Sequence, residues 1–101
     1  MLINRKLAMK IWNDIFSKNK IYAKDFAGRL ICKSSYGDEN SQFGWNIDHI
    51  IPQKQNGKSD FYNLTPCHIL TNQEKGYKTT FWANNKLFQI RKNELVFIKK
   101  I

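Results

Sequence analysis

The segment at residues 45–75, WNIDHIIPQKQNGKSDFYNLTPCHILTNQEK, decides how this chain is read. Trp45 to Ile51 alternates with a period of two, setting Trp45, Ile47 and His49 on one face of a strand and Asn46, Asp48 and Ile50 on the other. Pro52 closes the strand, since it has no N–H to donate to a ladder. Gln53 to Asp60 forms a polar loop in which Asn56-Gly57 suits positive φ. A second short strand follows at Asn63-Leu64. Thr65 as N-cap and Pro66 at the first helical position then open a helix that runs to Lys75 and is ended by Gly76. His68, Asn72 and Lys75 share one face of that helix, which leaves Ile69 and Leu70 to carry more of the packing.

Outward from this segment the chain is plainer. Leu2, Ile3, Leu7, Ile11 and Ile15 recur every three to four residues, with Ala8, Trp12 and Phe16 beside them. This spacing predicts an amphipathic helix that lays one stripe on a core and keeps Arg5, Lys6 and Lys10 outside. Ser17 to Lys20 reads as its end. Leu30-Ile31-Cys32 is a short strand and Tyr36 to Asn40 a turn. Leu87–Arg91 and Leu95–Lys99 flank Lys92-Asn93-Glu94 and read as a hairpin that covers the core and adds positive charge.

Composition limits the partners. The 101 residues make one domain with a modest core, and a hydrophobic share of 42% with an aromatic share of 14% excludes a disordered chain. Seventeen Lys and Arg against eight Asp and Glu give a formal charge of +9, so polyanions are the natural partners, nucleic acid before an anionic membrane. Charge of this kind is common among small soluble proteins and gains meaning only beside a motif. Cys32 and Cys67 are too few and too far apart for a disulfide scaffold or a four-thiolate site, and read as small buried hydrophobes in a reducing cytosol. No apolar run approaches the ~18 residues of a membrane span, and the N-terminus lacks a signal-peptide core. A cytoplasmic protein is expected.

The set gathered at 45–75, a carboxylate, imidazoles, carboxamides and a lysine, suits a metal site that attacks a phosphodiester. Since adjacent strand residues face opposite ways, Asp48 and His49 divide the labour: one binds metal while the other works on water. The segment resembles the ββα-metal (His-Me finger) core of the HNH endonuclease family. Upstream, Asp25-x-x-Gly28 and Tyr36, Gly37, Ser41, Gly44 and Trp45 match a lead-in found in one variant of that family, and Trp12 fits a preceding helix tryptophan. The resemblance covers roughly residues 11–78 and departs in the loop, where Asn56-Gly57 replaces a Gly-Gly pair.

The resemblance implies an α+β fold with a ββα core at 45–76; with the N-terminal helix and C-terminal β-hairpin read from the residues, the expectation is one HNH nuclease domain over residues 1–101. It assigns Asp48 and Asn72 as metal ligands, His49 as general base and Asn63 as the residue that orients it. One divalent metal is implied, Mg²⁺ or Mn²⁺ before Ni²⁺ or Zn²⁺, because a carboxylate and a carboxamide oxygen are hard ligands. His68 stays open between a third metal ligand or phosphate contact and a core-edge histidine bonded to the loop. Lys75, Lys54, Lys58 and Lys78 are expected to bind nucleic acid. Paired CxxC knuckles occur in many family members, whereas this chain has Cys32-x-x-Ser35 and no second pair, so no structural zinc is expected. The implied activity is nicking or cutting of DNA, with RNA as the alternative substrate, by a monomer or homodimer that grips the backbone with little sequence readout. Two other readings compete: a catalytically silent nucleic-acid-binding module, and a toxin-like nuclease with a phage or bacterial partner such as an immunity protein.

Overall fold

Residues 3–101 are described by a computed structural model; Leu2, counted above in the first helical stripe, lies outside them. Helix α1 (Arg5–Ile15) begins where Asn4 accepts a hydrogen bond from the Leu7 N–H at 2.8 Å, satisfying one of the unpaired amides of its first turn. Its buried stripe is Ala8, Ile11 and Trp12, and Arg5, Lys6 and Lys10 are exposed as the spacing predicts. Ile15 departs from that expectation. It is half exposed in the last turn of the helix, where the neighbouring Phe16 packs on the core instead.

Strands β1 (Tyr22–Lys24) and β2 (Leu30–Cys32) form an antiparallel hairpin. Strands β3 (Trp45–His49) and β4 (Leu64–His68) form a second two-stranded sheet, pairing Trp45 with His68 and His49 with Leu64. Helix α2 (Ile69–Lys75) follows β4 directly, completing a ββα unit within a mixed α+β fold. The principal core lies between α1 and these two sheets and contains Ile3, Ala8, Ile11, Trp12, Ala23, Ile31, Trp45, Ile47 and Leu64. Its centre is a tryptophan pair. The Trp12 and Trp45 rings lie 4.9 Å apart, and each indole N–H is satisfied by a backbone carbonyl, that of Lys20 at 2.9 Å and of Cys32 at 2.7 Å.

The second helix starts later than its sequence signals suggest. Thr65 and Pro66 do not cap it; they pair with Asp48 and Ile47 in β4. A two-stranded sheet has free edges, where proline is tolerated, so the pairing continues through Pro66. The cap is His68, whose Nδ1 accepts from the Leu70 N–H at 3.0 Å, a role for which histidine gives no sequence signal. The helix then buries Thr71 and Lys75 and leaves Leu70 half exposed, against the expectation that Leu70 packs. Gly76 ends it at φ 55°.

At the C-terminus the expected hairpin is part of a three-stranded meander of β5 (Thr80–Ala83), β6 (Lys86–Arg91) and β7 (Glu94–Lys100). Asn84-Asn85 and Lys92-Asn93 all have positive φ, as tight two-residue turns require. Phe81, Ala83 and Phe88 pack with Ala27 as a second cluster. Asp25 ties this side of the molecule to the ββα unit: its carboxylate accepts from the N–H groups of Ala27 (3.0 Å), Arg29 (2.9 Å) and His68 (3.0 Å).

Candidate active site

Strand β3 and helix α2 bring Asp48, His49 and Asn72 to one cleft of about 310 Å³, lined also by Pro52, Lys54 and Tyr77 among others. Asp48 and His49 reach the same cleft although they are neighbours in the strand. His49 is its last residue, and the chain bends away at Ile50.

Asp48 is buried, and its Oδ2 lies 3.2 Å from the Nζ of Lys75. The aligned hydrogen bond of that ammonium goes instead to the His49 carbonyl at 3.0 Å, which leaves Asp48 Oδ2 without a well-directed donor. Burial pushes the Asp48 carboxyl up to about 6, an effect that the Lys75 charge opposes without cancelling. Asn72 donates its Nδ2 to Asn46 Oδ1 at 2.7 Å, so its amide nitrogen is committed and its oxygen is the group left for a ligand.

His49 is partly buried, and its Nε2 meets the hydroxyl of Ser59 at 2.9 Å. Burial, reinforced by the Lys75 charge, holds the imidazole below its ordinary value, which favours the neutral ring. Asn63 does not touch that ring. Its side chain clamps the loop, accepting from the Ile51 N–H at 2.8 Å and donating to the carbonyls of Ile51 (3.2 Å) and Lys58 (2.8 Å). Its own carbonyl accepts from the Ile50 N–H at 2.9 Å, so Asn63 fixes the backbone on the C-terminal side of His49.

Two further expectations change here. His68 is buried, with Nε2 at 2.8 Å from the Gln42 carbonyl and Nδ1 engaged by Leu70, so neither ring nitrogen remains for a metal. It is the core-edge histidine of the two readings. Lys75 is fully buried and is no phosphate contact; it supports the site from behind through Asp48 and His49. Lys54, Lys58 and Lys78 are all exposed, and of these only Lys54 lines the cleft. Ser59, Asn46 and Tyr77 also belong to the neighbourhood and carry no signal in the sequence beyond polarity and position.

Among the described residues no group of three or more His, Cys, Asp or Glu side chains is placed to hold a metal ion. Asp48 and Asn72 nevertheless fit a divalent cation by the chemistry of their donors: a carboxylate and a carboxamide whose nitrogen is committed elsewhere are hard oxygen ligands lining one cleft, and such ions take their remaining ligands from water and phosphate.

The strand–loop–strand–helix unit, with a carboxylate, an imidazole and a carboxamide around a polar cleft, has the architecture of a small ββα fold. Residues 39–81 match the family model described as HNH endonuclease. No curated protein and no solved structure matches the chain.

Proposed function

We propose that this protein is a metal-dependent endonuclease that hydrolyses phosphodiester bonds of DNA, with His49 as general base. The observation that carries the reading is the convergence of Asp48, His49 and Asn72 on one cleft. The formal charge of +9 supports a polyanionic substrate.

A neutral imidazole is the form that accepts a proton, and the environment of His49 favours it near neutral pH. Nε2 meets the Ser59 hydroxyl at 2.9 Å, so a water has to take the place of that hydroxyl for this nitrogen to act on it. His49 takes a proton from the water as its oxygen attacks phosphorus, and the bond from phosphorus to the 3′ oxygen breaks. Asn63 acts through the backbone, holding the end of the strand and the loop so that the ring keeps its place. A divalent cation held by the Asp48 and Asn72 oxygens supplies charge stabilisation at the phosphate and the departing oxygen when bound.

The test is conversion of supercoiled plasmid to open circles and linear DNA with Mg²⁺, Mn²⁺, Ni²⁺ or EDTA. Nicking that requires a divalent ion and falls to background in Asp48→Ala and Asn72→Ala is the expected result. Equal nicking in EDTA refutes the assignment of these two residues. A protein that binds DNA and stays inert with every ion is a binding module.

A further inference from the structure

The cleft contains an element that the catalytic assignment leaves unused. Lys54 sits on the short 3₁₀ turn Gln53–Gln55 that follows Pro52, and its ammonium lies 4.3 Å from the centre of the Tyr77 ring. Both residues line the cleft with Asp48, His49 and Asn72, and both are exposed, Tyr77 at 62%. Tyr77 is also joined to the loop by its backbone, since Gln55 Nε2 donates to its carbonyl at 3.0 Å. The turn is itself closed by bonds from the Gln55 and Gly57 N–H groups to the Pro52 carbonyl, at 2.8 and 3.0 Å. The lysine therefore projects from a closed turn onto a ring whose backbone is tied to that turn.

We propose that Lys54, held over Tyr77, is the cleft's phosphate contact and that Tyr77 is the positioning residue that aims it; this rests on the nuclease reading above. Three observations favour it over an idle surface lysine. Among the described residues Lys54 pairs with no carboxylate, so its charge is available to a phosphate, whereas the charge of Lys75 is met by Asp48. Cation–π contact restricts a flexible side chain, so part of the entropy lost on binding is given up before DNA arrives. The contact uses one side of the ammonium, and an N–H directed away from the ring remains for a phosphate oxygen. The occupant is one backbone phosphate of the strand lying in the cleft.

The experiment is DNA binding in EDTA, read by fluorescence anisotropy with a short labelled duplex over salt from about 50 to about 200 mM. Each lost phosphate contact flattens the plot of log K against log[salt] by about 0.9. Over that fourfold rise the affinity of Lys54→Ala accordingly falls about 3.5-fold less than that of the wild type. Lys54→Arg and Tyr77→Phe retain the wild-type slope, since charge and ring survive. Tyr77→Ala flattens it part of the way. A wild-type slope in Lys54→Ala overturns the contact, and a wild-type slope in Tyr77→Ala overturns the positioning role, while the nuclease reading stands in both cases. A wild type that binds no DNA at all removes both.

Discussion

Replacing Lys75 by methionine keeps most of the side-chain volume of a fully buried residue and deletes its charge. What remains is Asp48, itself buried, with no cation at 3.2 Å and no directed donor on Oδ2. Leaving one member of a buried pair uncompensated costs roughly 3–5 kcal/mol. Burial already works against the charged form in the wild type: the Asp48 carboxyl is pushed up to about 6 from 3.8 even with Lys75 present, so its ionisation in the folded protein costs about 3 kcal/mol before the lysine is removed. With a urea slope of about 2 kcal/mol/M, the midpoint of unfolding at neutral pH in EDTA falls by on the order of 2 M. The pH dependence follows from the sign of the shift. The folded value lies above the unfolded one, so the contribution of protonated Asp48 is fully present below 3.8 and is lost as pH rises through about 6. Losing Lys75 moves the folded value higher still, and the deficit of Lys75→Met is therefore small in acid and grows toward neutrality. Adding Asp48→Asn to Lys75→Met recovers most of the loss. Urea unfolding followed by circular dichroism decides the matter: a single mutant within about 0.5 kcal/mol of wild type at neutral pH refutes the buried-pair account.

Asp25→Ala removes the acceptor of three backbone N–H groups and should cost at least 3 kcal/mol in the same assay, with Asp25→Asn intermediate, because hydrogen bonds to a charged acceptor are worth about 1.5–3 kcal/mol each. Gly57→Ala places a Cβ 1.7 Å from the Ile51 carbonyl oxygen, so the loop has to reopen; plasmid nicking should fall at least tenfold while the tryptophan core keeps its near-ultraviolet signal. Burial alone raises the Glu74 carboxyl, but the Arg29 guanidinium and the Asn84 N–H outweigh it and hold the group below 4.5. Its stabilisation is present above that value and lost as pH falls through the lower folded one, so Arg29→Ala should reduce the slope of stability against pH in that acid window and change it little above.

The ββα unit was legible because its strand pattern is local. Trp45 to His49 alternates cleanly, Pro52 stops it, and the carboxylate, the imidazole and the Asn72 carboxamide fall at positions that one strand and one helix bring to a single cleft. The start of α2 was not legible, since Thr65-Pro66 imitates a helix start and only pairing with Ile47 and Asp48 keeps both residues in a strand. The roles of His68 and Lys75 were hidden for a related reason. Each is a polar residue whose partners, the Gln42 and His49 carbonyls and the Asp48 carboxylate, lie on distant parts of the chain, and sequence carries no record of such contacts. The Asn84-Asn85 turn is a different case: two asparagines between apolar runs are a hairpin signal, and β5 was readable from them.

The most direct test of the account is the rate of plasmid nicking by His49→Ala beside wild type, at neutral pH with saturating Mg²⁺, together with the DNA affinity of both proteins in EDTA. General-base catalysis is worth about 10²–10⁴-fold, so the account predicts a loss of at least a hundredfold in rate with affinity unchanged. A variant that nicks at the wild-type rate contradicts it.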